Sequence, residues 1–205
     1  MDFIKEKSLA CVDTSNVLDA ALPSCSVTRR LDDIGVDGVI VENLLSADEC
    51  ARLVQAAEAS GGFAFWDPDG GEDKRAVRNA DTVEFDDPSL CESLFARLLP
   101  SITQTVTFSP DDEETFETEL EGEWTATGLN THLLINRYGG GGHFSPHADG
   151  STLRDFNRRS LFVCQLVSIH RPLGRPLPAA SLPALLAHPE VGGSKSRCAD
   201  CLDIP

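Results

Sequence analysis

His143 and His147 lie four residues apart, and Asp149 follows two residues after the second histidine, all within "RYGGGGHFSPHADG", residues 137–150. Imidazole nitrogens and carboxylate oxygens are donors for a divalent metal. A His-x-Asp pair supplies two of the three ligands in the two-His-one-carboxylate arrangement, which leaves positions open on Fe(II). The H-x-x-x-H spacing is that of zinc-binding helices, but the tetraglycine before it and Pro146 within it argue against a helix. On an extended chain alternate residues share a face. His147 and Asp149 would then point the same way with Cα atoms ~7 Å apart, while His143 would lie ~13 Å from His147, too far to share an ion without a bend. The alternative is a strand end carrying a solvated aspartate and a surface histidine, since H-x-D alone arises often by chance. A phosphate-cradling role for the glycines fails. A Walker loop ends in Gly-Lys-Ser/Thr where this chain runs Gly142-His143-Phe144, and a dinucleotide fingerprint needs a following helix that Pro146 denies.

The elements that must position these residues are legible on either side. "LNTHLLINRY" before the motif and "RSLFVCQLVSI" after it read as strands. Further upstream, "VDGVIVENLL" carries the β-branched run Val39-Ile40-Val41 of a buried strand. "SADECARLVQAAEASGG" reads as an amphipathic helix, with Ser46 as cap, Glu49 as capping-box partner and Gly61-Gly62 as the stop. Its buried face is Cys50, Leu53, Val54 and Ala57. A second helix, "DPSLCESLFARLLP", has Asp87 as cap, Pro88 in the first turn and Cys91, Leu94, Phe95 and Leu98 facing inward. Residues 1–35 show little periodicity and read as an irregular lead-in. Residues 109–123 hold eight acidic side chains and no basic one, the pattern of a solvated surface insertion. Residues 171–205 are proline-rich and are expected to be irregular, because proline removes ladder donors. The domain proper is therefore expected over 36–170. "CADC" at 198–201 is a C-x-x-C without a second pair, and two incidental thiols explain it as well as zinc or redox chemistry does.

Composition narrows the partners. The 205 residues suit one domain, and 17 Lys plus Arg against 33 Asp plus Glu give a net charge of −16, which argues against nucleic acid as a partner. No apolar run approaches the ~20 residues that span a bilayer, and the N-terminus lacks the apolar stretch of a secretory signal. With seven cysteines at irregular spacing, the expectation is a soluble, cytoplasmic chain with reduced thiols and no membrane contact.

Taken together, "VIVENLLSADECARLVQAAEASGGF", "RNADTVEFDDPSLCESLFARLLPSI" and "LNTHLLINRYGGGGHFSPHADG", followed by "RSLFVCQLVS", resemble the Fe(II)/2-oxoglutarate dioxygenases of the prolyl 4-hydroxylase type. About 130 residues, 38–168, are covered, with the acidic stretch as an insertion. The resemblance implies an α+β fold, with a double-stranded β-helix (jelly-roll-like) core and N-terminal flanking helices. It implies His147 and Asp149 as iron ligands and hydroxylation of a C–H bond, such as that of a prolyl residue in a protein or peptide substrate. The cofactor set would be Fe(II), with 2-oxoglutarate as cosubstrate and ascorbate as reductant. Tyr138 falls where such enzymes place a tyrosine against 2-oxoglutarate, although core packing of the ring is an equal reading. Arg78 and Asn79 match a segment on the substrate side, where a structural salt bridge is the alternative.

The chain departs from the family at its end. The late strands are expected to be missing, and with them the second histidine and the Lys or Arg that pairs with 2-oxoglutarate. His170 and His188 are the candidates left for a third ligand, and Lys195 and Arg197 for the basic partner. The alternative function is accordingly a non-catalytic remnant, or a binding module on the same scaffold.

Overall fold

The computed structural model describes residues 9–20, 26–31, 38–65, 74–109, 121–147, 152–155, 158–167, 184–187 and 201–204. The fold is mixed α+β, mostly strands with few helices, and its sheets are open. The elements run β1 (Ser26–Arg30), β2 (Gly38–Glu42), α1 (Ala47–Ala59), β3 (Ala64–Phe65), α2 (Lys74–Val77), β4 (Arg78–Asn79), β5 (Asp81–Asp86) and α3 (Pro88–Leu98). They continue with β6 (Thr105–Phe108), β7 (Gly122–Thr125), β8 (His132–Arg137), β9 (His143–Phe144), β10 (Leu153–Asp155), β11 (Arg158–Arg159), β12 (Val163–Val167), β13 (Ala184–Ala187) and β14 (Cys201–Ile204). One eight-stranded sheet has the order β1-β2-β13-β12-β14-β8-β5-β3, and β10-β11, β4-β9 and β6-β7 form separate two-stranded pairs.

Both expected helices form, each for the expected reason. Ser46 and Glu49 make the full capping box at the start of α1, and the Asp87 carboxylate accepts from the Leu90 N–H at 2.9 Å at the start of α3. The helices lie on one face of the large sheet. Val39 and Val41 of β2, Val83 and Phe85 of β5, Leu133 and Ile135 of β8, and Cys164 and Leu166 of β12 are alternate residues of their strands. All of them pack in one cluster with Cys50, Leu53 and Ala57 of α1 and Leu90, Cys91, Leu94 and Leu98 of α3. Inside this layer Glu49 and Arg97, both almost wholly buried, pair at 2.7 Å. The Glu49 carboxylate also accepts from the backbone N–H groups of Ser46 and Asp19, and Arg97 donates to the carbonyls of Leu44 and Asp19. Burial alone would raise the Glu49 pKa. Hydrogen bonds from Arg97, Ser46 and Asp19, together with the Arg97 charge, outweigh it and hold the pKa at about 2.

Three expectations are corrected. The lead-in is not wholly irregular: Ser26–Arg30 is a strand antiparallel to β2, and Val17 is buried in the core. The sequence "SVTRR" has no apolar alternation to announce it, so its strand character comes from pairing with β2. The tail is not wholly irregular either. The proline-free stretches "ALLA" and "CLDI" form β13 and β14, with β13 antiparallel between β2 and β12, and β14 parallel between β12 and β8. The prolines bound these strands instead of falling inside them, so no ladder donor is lost. Finally, the acidic insertion ends inside a strand, because Gly122 and Glu123 belong to β7 and pair with Phe108 and Thr107 of β6. Residues 110–120 lie outside the described residues. No helix among the described residues is long and apolar enough to cross a membrane.

Candidate functional site

The glycine tract is a turn with two distinct demands. The Gly142 N–H donates to the Gly139 carbonyl at 2.8 Å, and Gly141 sits at φ +81°, the left-handed region that the third residue of a type II turn requires. Gly142 is needed for space, since a Cβ there would stand 2.9 Å from the Gly139 oxygen and 3.0 Å from the Asn79 oxygen. This close approach lets β9 pair with β4, in the register Arg78↔Phe144 and Asn79↔His143. The motif and the Arg-Asn segment, about sixty-five residues apart in sequence, are thereby brought side by side.

His147 does not sit on a strand. The chain leaves β9 after Phe144, because Pro146 cannot donate to a ladder. Its imidazole is exposed, yet held in place. The ring stacks on Phe144 with centroids 3.6 Å apart and planes 19° from parallel, and Nδ1 lies 2.8 Å from the Ser145 carbonyl oxygen. A carbonyl only accepts, so in this contact Nδ1 is the donating nitrogen. Metal-ligating histidines are commonly oriented by a hydrogen bond of this kind from the other nitrogen. His143 is arranged differently. Nε2 lies 3.1 Å from the Ala76 carbonyl and Nδ1 3.3 Å from that of Gly141, so both ring nitrogens face acceptors of the backbone.

Beneath Phe144 lies a polar cluster that sequence reasoning found only in part. Arg78 is buried, with its guanidinium 5.0 Å from the Phe144 centroid. Its Nη2 donates to Thr82 Oγ1 at 3.2 Å and to Asn136 Oδ1, and the Thr82 hydroxyl donates to the same Asn136 oxygen at 2.8 Å. Thr82 and Asn136 are direct partners across β5 and β8, on the face turned away from the helices. These contacts of Arg78 are with amide, hydroxyl and aromatic groups. Asn79 accepts from Arg75 at 3.2 Å, and Tyr138 is half-buried directly after β8. The overlooked members are Phe144, Thr82 and Asn136. One signal was available: an asparagine inside the apolar run "HLLINR" must find a buried partner. His132, on the same face of β8, pairs with Glu84 at 2.8 Å.

Asp149, His170, His188, Lys195 and Arg197 lie outside the described residues. Among the described residues no three His, Cys, Asp or Glu side chains gather into a metal-binding group. Among the described residues, Cys11 is exposed, and Cys50, Cys91 and Cys164 are buried. Burial, reinforced by the Glu49 charge, pushes the Cys50 thiol up to about 12 and leaves it unreactive near neutral pH. No family model, curated protein or solved structure matches the chain.

Proposed function

We propose that the chain is a prolyl 4-hydroxylase-like dioxygenase built on a double-stranded β-helix scaffold, with Fe(II) held by His147 and Asp149. The observation that supports this reading is the orientation of His147 at the head of the H-x-D motif: its Nδ1 donates to the Ser145 carbonyl, the kind of bond that commonly orients a metal-ligating imidazole, and Nε2 is the proposed metal donor. The residues fit a metal in their donor chemistry, nitrogen from His147 and oxygen from Asp149, while the third ligand is unassigned. The chemistry such a centre supplies is oxidative decarboxylation of 2-oxoglutarate to succinate and CO₂, coupled to hydroxylation of a substrate C–H bond, with ascorbate as reductant. The chain's own contribution lies in orientation. The Ser145 carbonyl orients the imidazole, Phe144 fixes the ring plane, and Arg78, anchored by Asn136 and Thr82, supports Phe144. Tyr138, at the entry to the glycine turn, is the residue proposed to meet the cosubstrate.

A second reading, a non-catalytic metal-binding module on the same scaffold, is favoured by one observation. The tail 171–205 carries no counterpart of the family's late histidine and basic pair beyond His188, Lys195 and Arg197. Succinate formation from 2-oxoglutarate, measured with Fe(II) and ascorbate in the full chain and in His147→Ala, separates the two. Succinate that disappears in the variant supports the enzyme. Fe(II) binding without succinate supports the module, and neither binding nor turnover refutes both.

A further inference from the structure

A cavity of about 550 Å³ opens on the helix-covered side of the sheet, away from the face that carries Arg78 and Asn136. Its walls come from the end of α3, the β6–β7 and β10–β11 hairpins, and the starts of β2 and β12. The size is that of a small-molecule site. Arg78, Phe144 and His147 do not line it, so a role for this cavity is independent of the metal centre proposed there.

Exposure sorts the lining into two zones. Val39 and Cys164 are buried, and Phe95, Ile102, Leu129 and Leu161 are half-buried, which gives an apolar inner wall. Among the described residues the charged members of the lining lie further out: Arg30, Glu123 and Arg158 are exposed, and Arg159 is half-buried. Each of the three arginines is already engaged by another group of the chain. A charged ligand in the apolar zone would therefore give up its hydration with no partner reserved for it.

The half-buried part of the lining also holds two uncharged polar side chains, Asn130 and Ser160. The Asn130 Oδ1 accepts from the His132 N–H at 3.3 Å, and the Ser160 hydroxyl accepts from the Thr152 N–H at 2.8 Å. These bonds occupy the acceptor oxygens. The amide hydrogens of Asn130 and the hydroxyl hydrogen of Ser160 are donors that the same bonds do not use, and a donor is complemented by an acceptor on the ligand.

We infer that this cavity binds a small uncharged molecule of the alcohol or ketone class, its apolar body against Phe95, Ile102, Leu129 and Leu161 and its oxygen toward the donors of Asn130 and Ser160. The apolar wall supplies the affinity, and the two donors set the orientation.

The probe is octan-1-ol, compared with octanoate and octylammonium as its anionic and cationic counterparts. Each is added to the full chain carrying Trp66→Phe, so that Trp124, which lines the cavity, is the sole tryptophan reporter. The expected result is a saturable change in Trp124 emission with octan-1-ol, and binding of both ions weaker by about tenfold or more, the cost of taking a charge out of water. Ala126→Phe, which places a ring in the half-buried lining, should abolish octan-1-ol binding. Ser160→Ala should weaken it by about two- to tenfold, the worth of a neutral hydrogen bond, and is the variant to read should Ala126→Phe lose its cooperative melting transition. No saturable change, an ion bound as tightly as octan-1-ol, or unchanged octan-1-ol binding in either folded variant would overturn the inference.

Discussion

The carbonyl oxygen of Ser145, two residues before His147, makes Nδ1 the donating nitrogen of the imidazole in their contact. The sequence identified His147 through its spacing from Asp149, but not this bond, since no residue type announces where a backbone carbonyl will point. Phe144 was hidden for a similar reason. An aromatic residue beside a histidine is ordinary, and only the turn at Gly139–Gly142 and Pro146 bring its ring under the imidazole. Phe144→Leu tests this arrangement. Loss of the stack should move the His147 ring-proton resonances downfield in the metal-free protein, and weaken metal binding by about two- to tenfold, the 0.5–1.5 kcal/mol of an aromatic pair. Phe144→Tyr should restore both. Unchanged His147 resonances in the leucine variant would show that the ring is not held as described.

Helices and strands differed in how plainly they could be read. α1 and α3 carry their caps and apolar periodicity in local sequence, so both were legible to within a residue or two. The two-residue strands β4 and β9 have no local signature and exist because Gly142 lets two backbones approach. The buried Glu49–Arg97 pair was half visible. Glu49 was identified as a capping partner, whereas its second role depends on α3 placing Arg97 on its buried face beside Leu94 and Leu98. Glu49→Gln should destabilise the fold by about 3–5 kcal/mol, because Arg97 is left as an uncompensated buried charge. The pH dependence follows from the sign of the shift. The Glu49 pKa is lowered from 4.5 to about 2 on folding, so its contribution is complete above about pH 4.5 and is lost as pH falls toward 2. Denaturation at pH 6 and pH 3 should therefore show a larger acid loss in the parent than in Glu49→Gln, approaching about 3 kcal/mol over the full window. Equal losses would contradict the assignment.

Across the whole molecule, the part least legible in the sequence was the part that joins the sheet. β2, β12 and β8 were each expected as strands, but nothing in their composition says that two tail segments lie between them. The high proline content of residues 171–205 concealed β13 and β14, since average composition hides two four-residue stretches free of proline. Each of these strands pairs on both sides, so removing them would expose edges on β2, β12 and β8 at once. A chain ending at residue 170 should lose its cooperative melting transition and aggregate. A shortened chain that melts like the parent would show that the tail strands do not hold the sheet together.

Anaerobic Fe(II) titration of the full chain beside His147→Ala, Asp149→Ala and His143→Ala bears most directly on the proposed centre. The expected result is one saturable site in the parent, weakened about tenfold or more in the first two variants, which each remove a proposed ligand, and little changed in His143→Ala, whose ring nitrogens face the carbonyls of Ala76 and Gly141. Binding that is unaffected by His147→Ala, or lost equally in His143→Ala, would contradict it.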